Sequence, residues 1–206
     1  MATVQDWVDD LNVEVPSCLE LTVERAVRFS IQDFFSKSEA WAYEASVSLV
    51  EGVVQYTLPI PANTSILANR YVKVKYDNHT ESLISTLARD INLNVTGGPS
   101  SFASKGSVMF IDNVNKNVTC DVGFTLKPNR SVDEVPDDLA DDYFETIRSG
   151  ALMRLKSMVG KDWEDLKGAE KHQYIFETGV ALAKRESKKL RSRVRRPARF
   201  NKGFAW

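Results

Sequence analysis

Carboxylates that could do chemistry are concentrated in one stretch, "VDEVPDDLADDYFE", where seven of 14 residues are Asp or Glu. Asp137 and Asp141 are four residues apart, as are Asp138 and Asp142, so each pair shares a face if the stretch is helical. Hard cations bind such oxygens, but the spacing and glycine of a calcium-binding loop are absent. We favour a solvated helix start whose acids stabilise the positive end of the helix dipole. An acidic docking surface is the main alternative.

Residues for other reactions are scarce. The two histidines are His79, in the turn-like "YDNHTE", and His172, in "AEKHQY". The sequence contains no H-E-x-x-H, G-x-S-x-G, phosphate-binding loop or dinucleotide-binding glycine pattern. We therefore predict structural histidines and a protein that is not an enzyme, with no cofactor and no metal.

Other sequence features bear on the compartment. Cys18 and Cys120 do not make a disulfide framework and are expected to be buried thiols. The N-terminal stretch has no basic region followed by an apolar run, so a signal peptide is not expected. No stretch approaches the ~20 apolar residues of a membrane span.

Positive charge is collected at the C-terminal end. Residues 184–206 carry ten Lys and Arg against one Glu, a net charge of +9. Residues 1–183 carry 17 Lys and Arg against 27 Asp and Glu, a net charge of −10. An acidic body with a basic tail indicates that the tail has a partner.

The type of partner follows from the last ten residues, "PARFNKGFAW". A solvated basic end, binding to nucleic-acid phosphates, binding to anionic lipid and docking on a protein are the alternatives. Exposed aromatic residues beside Arg are typical of protein interfaces, so we favour protein docking. The predicted docking residues are Lys188, Lys189, Arg191, Arg193, Arg195, Arg196, Arg199, Phe200, Phe204 and Trp206.

The elements that position these residues form three blocks. Residues 1–40 are predicted to be helical, with Pro16 and Ser17 starting the second helix because Ser caps first-turn amides. Residues 133–196 are predicted to be helical again, because apolar residues recur at steps of three and four. Pro197 ends the last helix, which leaves residues 197–206 as an extended tail.

The middle block, residues 41–132, has the alternating pattern of strands. In "YVKVKYD", Val72 and Val74 face one side and Lys73 and Lys75 the other. "LISTLARDI" is predicted to be a short helix and "VTGGPSSFASKG" a loop. Deletion of "GGPSSFASKG" is therefore expected to leave the fold intact. The predicted fold class is α+β: a helical bundle built from both chain ends, with an inserted, mainly antiparallel β-domain.

Four features of this layout resemble a known family. A helical pair precedes the strand "VVQYTLPIPA", and a later strand runs into a proline in "VGFTLKP". The helix "VPDDLADDYFETIRSGALMRL" and the tryptophan–acid pair that opens "KDWEDLKGAEKHQYIFETGVALAK" follow. Together they are similar to the head-to-tail adaptor proteins of short-tailed bacteriophages, also called tail tubular protein A or gatekeeper-like proteins.

The resemblance implies a structural role in the virion. Such proteins form a ring, typically of twelve copies, which links the portal to the tail nozzle protein and contributes to the DNA channel. The basic aromatic tail would then be an arm that docks on the portal, without contact to a membrane. The alternative function is nucleic-acid binding through that tail, and an enzyme with a carboxylate site is a third.

Overall fold

The structure, a computed structural model, describes residues 1–76, 79–87, 91 and 98–194, with side chains described as far as residue 189. The protein has a mixed α+β fold. The helices within this part of the chain are α1 (Val4–Glu14), α2 (Glu20–Ser38), α3 (Asp137–Lys156) and α4 (Leu166–Val194).

Ten strands form three sheets within the same residues. They are β1 (Ala2–Thr3), β2 (Ala42–Leu49), β3 (Gln55–Thr57), β4 (Thr64–Lys75), β5 (Thr80–Ser82), β6 (Ile84–Ser85), β7 (Ser101–Lys105), β8 (Val108–Ile111), β9 (Val118–Pro128) and β10 (Glu134–Val135). The sheet orders are β2-β9-β4-β5, β3-β8-β7-β6 and β1-β10. Every described pair is antiparallel except β6 with β7.

The alternation along β4 is confirmed. Val72 and Val74 are completely buried, whereas Lys75 is exposed. Val72 lies opposite Val122 of β9 and Val74 lies opposite Cys120, so both partners point to the same buried face. Two register shifts along this pair place bulges before residues 68 and 71.

The stretch predicted as a loop after residue 98 contains a strand instead. Phe102 and Ala103 of β7 are each 2% exposed, and β7 pairs with β8. The expectation that "GGPSSFASKG" can be deleted is therefore wrong, because the deletion would remove a core strand. Residues 92–97, which include the start of this stretch, lie outside the described residues.

A buried carboxylate holds the start of β7. Asp112 is 1% exposed and accepts hydrogen bonds from the amides of Ser100, at 2.7 Å, and Ser101, at 3.0 Å. It also accepts the hydroxyls of Ser100, at 2.7 Å, and Ser101, at 2.9 Å. Four donors thus compensate for the burial of this charge.

Two other local predictions are wrong. The predicted short helix in "LISTLARDI" begins with β6, Ile84–Ser85, which pairs in parallel with β7. The second helix starts at Glu20, and its N-cap is Leu19 without a side-chain cap bond. Pro16 and Ser17 instead lie in the turn that joins α1 to α2, where the amide of Cys18 donates to the carbonyl of Val15 at 2.9 Å.

Helices from both ends of the chain pack against each other. The Trp7 ring of α1 stacks on Phe144 of α3 with centroids 5.2 Å apart, and its Nε1 donates to the Phe144 carbonyl at 3.3 Å. The buried Ser30 hydroxyl of α2 donates to the carbonyl of Ile147 at 2.5 Å. α4 contacts α3 and α2, and α2 also contacts β9.

Glycine at position 150 permits the closest of these approaches. A Cβ atom there would lie 2.2 Å from the Ser30 hydroxyl of α2 and 2.6 Å from the ring of Phe176 of α4. Because real Cβ contacts are not that short, only a residue without a side chain lets α2, α3 and α4 meet at this point.

Candidate docking surface

Four of the predicted docking residues belong to α4, which also has a buried face: Lys188, Lys189, Arg191 and Arg193. Phe176, Ala183 and Ser187 are 3%, 1% and 5% exposed, and they follow each other at steps of seven and four. Ser187 is also tied to the end of α2, because its hydroxyl donates to the carbonyl of Glu39 at 2.7 Å. Beyond Ser187 the helix continues to Val194.

Four cations lie close together near the last described side chains of α4. Lys184, Arg185, Lys188 and Lys189 line a shallow groove of about 550 Å³ together with Ala181. Lys184 is half-buried, and the other three cations are exposed. The groove therefore has a local positive potential that can attract an acidic surface or a phosphate.

The predicted docking residues are divided by the limits of the described chain. Lys188 and Lys189 are exposed on α4. Arg191 and Arg193 belong to the backbone of α4, and the rest of the predicted set lies outside the described residues: Arg195, Arg196, Arg199, Phe200, Phe204 and Trp206. The docking assignment stays a prediction for these residues.

The side chains of the acidic stretch, residues 132–145, contact different partners and do not form one cluster in the described residues. Asp133 pairs with Arg28 of α2 at 2.5 Å, and Asp137 pairs with the amino group of Met1 at 2.7 Å. Glu145, at 3.8 Å from Arg148, is 79% exposed. No group of three or more His, Cys, Asp or Glu side chains in the described residues is arranged to hold a metal ion.

The two histidines lie on different parts of the fold. The ring of His79 stacks on Tyr76 with centroids 4.7 Å apart. His172 is half-buried on α4, and burial together with the nearby Lys156 lowers its pKa. Its Nδ1 is buried without a hydrogen-bond partner in the described part of the chain.

Both cysteines are free and buried, as predicted. Burial is the main cause that raises the pKa of Cys120 to about 12, with a further contribution from Asp121. Burial also raises the pKa of Cys18, against the opposing effect of Lys161. Since the thiolate is the reactive form, neither side chain is suited to nucleophilic chemistry.

We expect Cys120 to remain unmodified when the folded protein is treated with iodoacetamide at pH 8, because its thiolate population is negligible and its sulfur is covered. In urea the same residue should alkylate completely within the same time. Peptide mass spectrometry measures both states. Comparable modification of Cys120 in native and denatured samples would contradict the buried, high-pKa environment.

A second cationic surface was not predicted from the sequence. Arg25, Arg28 and Phe29 of α2 and Arg130, which follows β9, line a groove of about 320 Å³ that we call the arginine groove. The local signal is the spacing of Arg25 from Arg28 and Phe29, three and four residues, which places them on one side of the helix. The contribution of Arg130 depends on tertiary packing.

We compared the sequence with known protein families and with curated proteins. No known family model matches the sequence, and no curated protein matches it significantly. Among the described helices, none is both long and apolar enough to cross a bilayer.

Proposed function

We propose that this chain is a head-to-tail adaptor of a short-tailed bacteriophage virion. Copies of it form a ring, of twelve by the resemblance, between the portal and the tail nozzle protein, and DNA passes through the channel. One observation carries the proposal: α4 continues as a helix past Ser187, its last described buried side chain, with Lys188 and Lys189 exposed. A helix with exposed cations beside its last described buried residue is suited to contact a partner.

The proposal includes a particular arrangement of the fold. Helices from both chain ends form one bundle, and the β-domain is inserted between them. The stacking of Trp7 on Phe144 and the bond from Ser30 to the Ile147 carbonyl support this arrangement, since both join the N-terminal helices to α3. Arg148 of α3 adds ion pairs to Asp10 and Glu14 of α1.

The docking arm combines two kinds of contact. Phe200, Phe204 and Trp206 are the anchors, each worth about 1.5–3 kcal/mol if a partner pocket buries it fully. The Lys and Arg residues from 188 to 199 steer and orient the arm, because electrostatic complementarity acts mainly on the rate and specificity of association.

Nucleic-acid binding is the second candidate function. The groove lined by Lys184, Arg185, Lys188 and Lys189 favours it, since clustered cations bind phosphates with little regard to sequence. This candidate gives the terminal aromatic residues no necessary role.

A salt titration of binding separates the two candidates. We expect deletion of residues 197–206 to abolish attachment to the purified portal of the same phage while leaving a folded protein. Attachment of the full chain should survive moderate salt, because steering charges are screened over about 8 Å at physiological ionic strength but buried aromatic contacts are not. Binding to duplex DNA should instead fall with a log–log slope of about −0.9 per phosphate contacted.

The matched variant keeps every charge and removes only the anchors: Phe200→Ala, Phe204→Ala and Trp206→Ala together. We expect it to lose portal binding and to retain whatever DNA binding the wild type has. Unchanged portal binding by this variant would refute the docking arm. Binding to DNA alone, with a steep salt slope, would establish the second candidate in its place.

A further inference from the structure

We infer that the arginine groove is a second interaction site, independent of the C-terminal arm, which binds a carboxylate-bearing segment of a partner polypeptide. The groove is formed by α2 and the residues after β9, and it contains three guanidinium groups beside one aromatic ring. Nothing in the proposed docking of the tail uses it.

The groove contains more hydrogen-bond donors than the described chain satisfies. Arg25 and Arg130 are exposed and form no ion pair within the described residues. Arg28 binds Glu24 at 2.7 Å and Asp133 at 2.5 Å through Nη2. Its Nε is buried, and no described group accepts its hydrogen. The exposed guanidinium groups of Arg25 and Arg130 are the donors that an incoming oxyanion can reach directly.

A carboxylate fits this set of donors. Its two oxygens can accept parallel hydrogen bonds from one guanidinium and a further bond from a neighbour. Arg is the residue best suited to such recognition, since its donors are fixed in a planar fork. Arg28 is already oriented by Glu24 and Asp133, so little side-chain freedom would be lost on binding.

Phe29 adds an apolar contact beside the cations. Its side chain is 42% exposed, and the guanidinium of Arg154 lies 5.4 Å from the ring centroid. An exposed ring next to charged donors favours a ligand that presents an apolar side chain close to its carboxylate. A polypeptide segment with Glu or Asp next to an apolar residue has this chemistry.

The surroundings disfavour an extended polyanion. Glu24 and Asp133 already lie at Arg28. A volume of about 320 Å³ admits one or two side chains. A nucleic acid would bring several phosphates toward these acids, and like charges repel, whereas a single carboxylate can enter between the arginines.

The test is a fluorescence-anisotropy titration of the full-length protein with a labelled, C-terminally amidated Gly-Phe-Glu-Phe-Gly peptide, called the Glu-Phe peptide, which carries one carboxylate. We expect the double variant Arg25→Gln, Arg130→Gln to weaken binding about tenfold or more, as expected for lost charge-assisted bonds. The matched control is Lys105→Gln, Lys167→Gln, which removes the same charge from exposed positions outside both cationic grooves. It should bind the peptide within about twofold of the wild type, because the contacts are local.

Further probes distinguish the contribution of the Phe29 ring from that of the arginines, and a carboxylate ligand from a phosphate ligand. Phe29→Ala should weaken binding of the Glu-Phe peptide but not binding of an amidated Gly-Ala-Glu-Ala-Gly peptide, which has the same carboxylate and no aromatic side chain. A labelled oligothymidine of five nucleotides should bind less tightly than the Glu-Phe peptide and should not respond to the Arg25, Arg130 variant. Circular dichroism confirms that each variant is folded, which is expected because Arg25, Phe29 and Arg130 are exposed.

Three results would overturn the inference. One is equal peptide affinity of the wild type and the Arg25, Arg130 variant. Another is a larger loss in the separate variant Arg185→Gln, Lys188→Gln, which would assign peptide binding to the cationic groove on α4. The third is tighter binding of the oligonucleotide with dependence on Arg25 and Arg130. Portal attachment through the tail is measured separately, so neither proposal decides the other.

Discussion

Replacement of Trp7 by Ala should lower the free energy of unfolding by about 3–5 kcal/mol, the usual cost of removing a large buried aromatic side chain. Trp7 is completely buried. Its ring lies nearly parallel to that of Phe144, at an interplanar angle of 14°, and its Nε1 donates to the Phe144 carbonyl. The substitution therefore removes apolar burial, a ring contact and the donor for a main-chain acceptor at once.

The control for this prediction is Trp7→Phe. It retains a ring against Phe144 but lacks the N–H group, so the expected loss is smaller, about 1 kcal/mol for the hydrogen bond plus the effect of the reduced volume. Urea denaturation followed by circular dichroism measures both variants. An Ala variant within about 1 kcal/mol of the wild type would mean that α1 contributes little to the stability of α3.

Replacement of Asp112 by Asn should lower the free energy of unfolding by about 2–3 kcal/mol. The reason is that all four of its partners are donors, namely the amides and the hydroxyls of Ser100 and Ser101. A carboxamide has one acceptor oxygen, and its NH₂ group would face a donor. The exposed Asp141→Asn is the matched control and should change the free energy of unfolding by less than about 0.5 kcal/mol. Equal stability of the two variants would show that Asp112 does not hold β7.

The pH dependence of stability provides a second measurement of Asp112. Burial raises the pKa of this carboxyl, but the hydrogen bonds from Ser101 and Ser100 outweigh it and leave the pKa below its usual value. Between the folded-state pKa and the unfolded-state pKa of Asp112, the unfolded protein binds more protons than the folded protein. The free energy of unfolding therefore rises with pH over that range. The contribution is complete above the ordinary Asp pKa of about 3.9 and is lost as the pH falls through the folded-state pKa.

Thermal unfolding midpoints between pH 7 and pH 3 should therefore fall less steeply in Asp112→Asn than in the wild type. Some dependence should remain, because the pKa values of Asp121 and Asp165 are also lowered, by the hydrogen bond from Lys75 and by the amide of Gly168. Identical acid profiles for wild type and variant would contradict the assignment.

The sequence predicts secondary structure and burial correctly where they depend on the pattern of neighbouring residues in the chain. The alternation of Val72 and Val74 with lysines identified both the strand and its buried face. The prediction failed at Ser101–Lys105, whose Ser and Ala composition is typical of a loop. That strand is formed by pairing with β8 and by the bonds to Asp112, and neither is encoded in local propensity.

The candidate docking surfaces also differ in how far the sequence predicts them. The cations of α4 can be read from the sequence because they follow one helical period, and Lys188 and Lys189 are exposed on it. The arginine groove could not be found in this way, since Arg130 reaches Arg25 and Phe29 only through the packing of the chain after β9 against α2. Such a site becomes visible only when the fold is known.

The hydrogen bond from the Ser187 hydroxyl to the Glu39 carbonyl also bears on how the protein would respond to a pulling force on α4. Glu39 ends α2 in a left-handed conformation, with φ of 57°, just before β2, and the Ser187 carbonyl accepts a bond from Arg70 of β4 at 3.5 Å. We expect tension on the C-terminal end of α4 to act on this junction before it acts on Phe176, because Ser187 lies nearer that end. The force would then pass through these two hydrogen bonds to the turn before β2 and to β4.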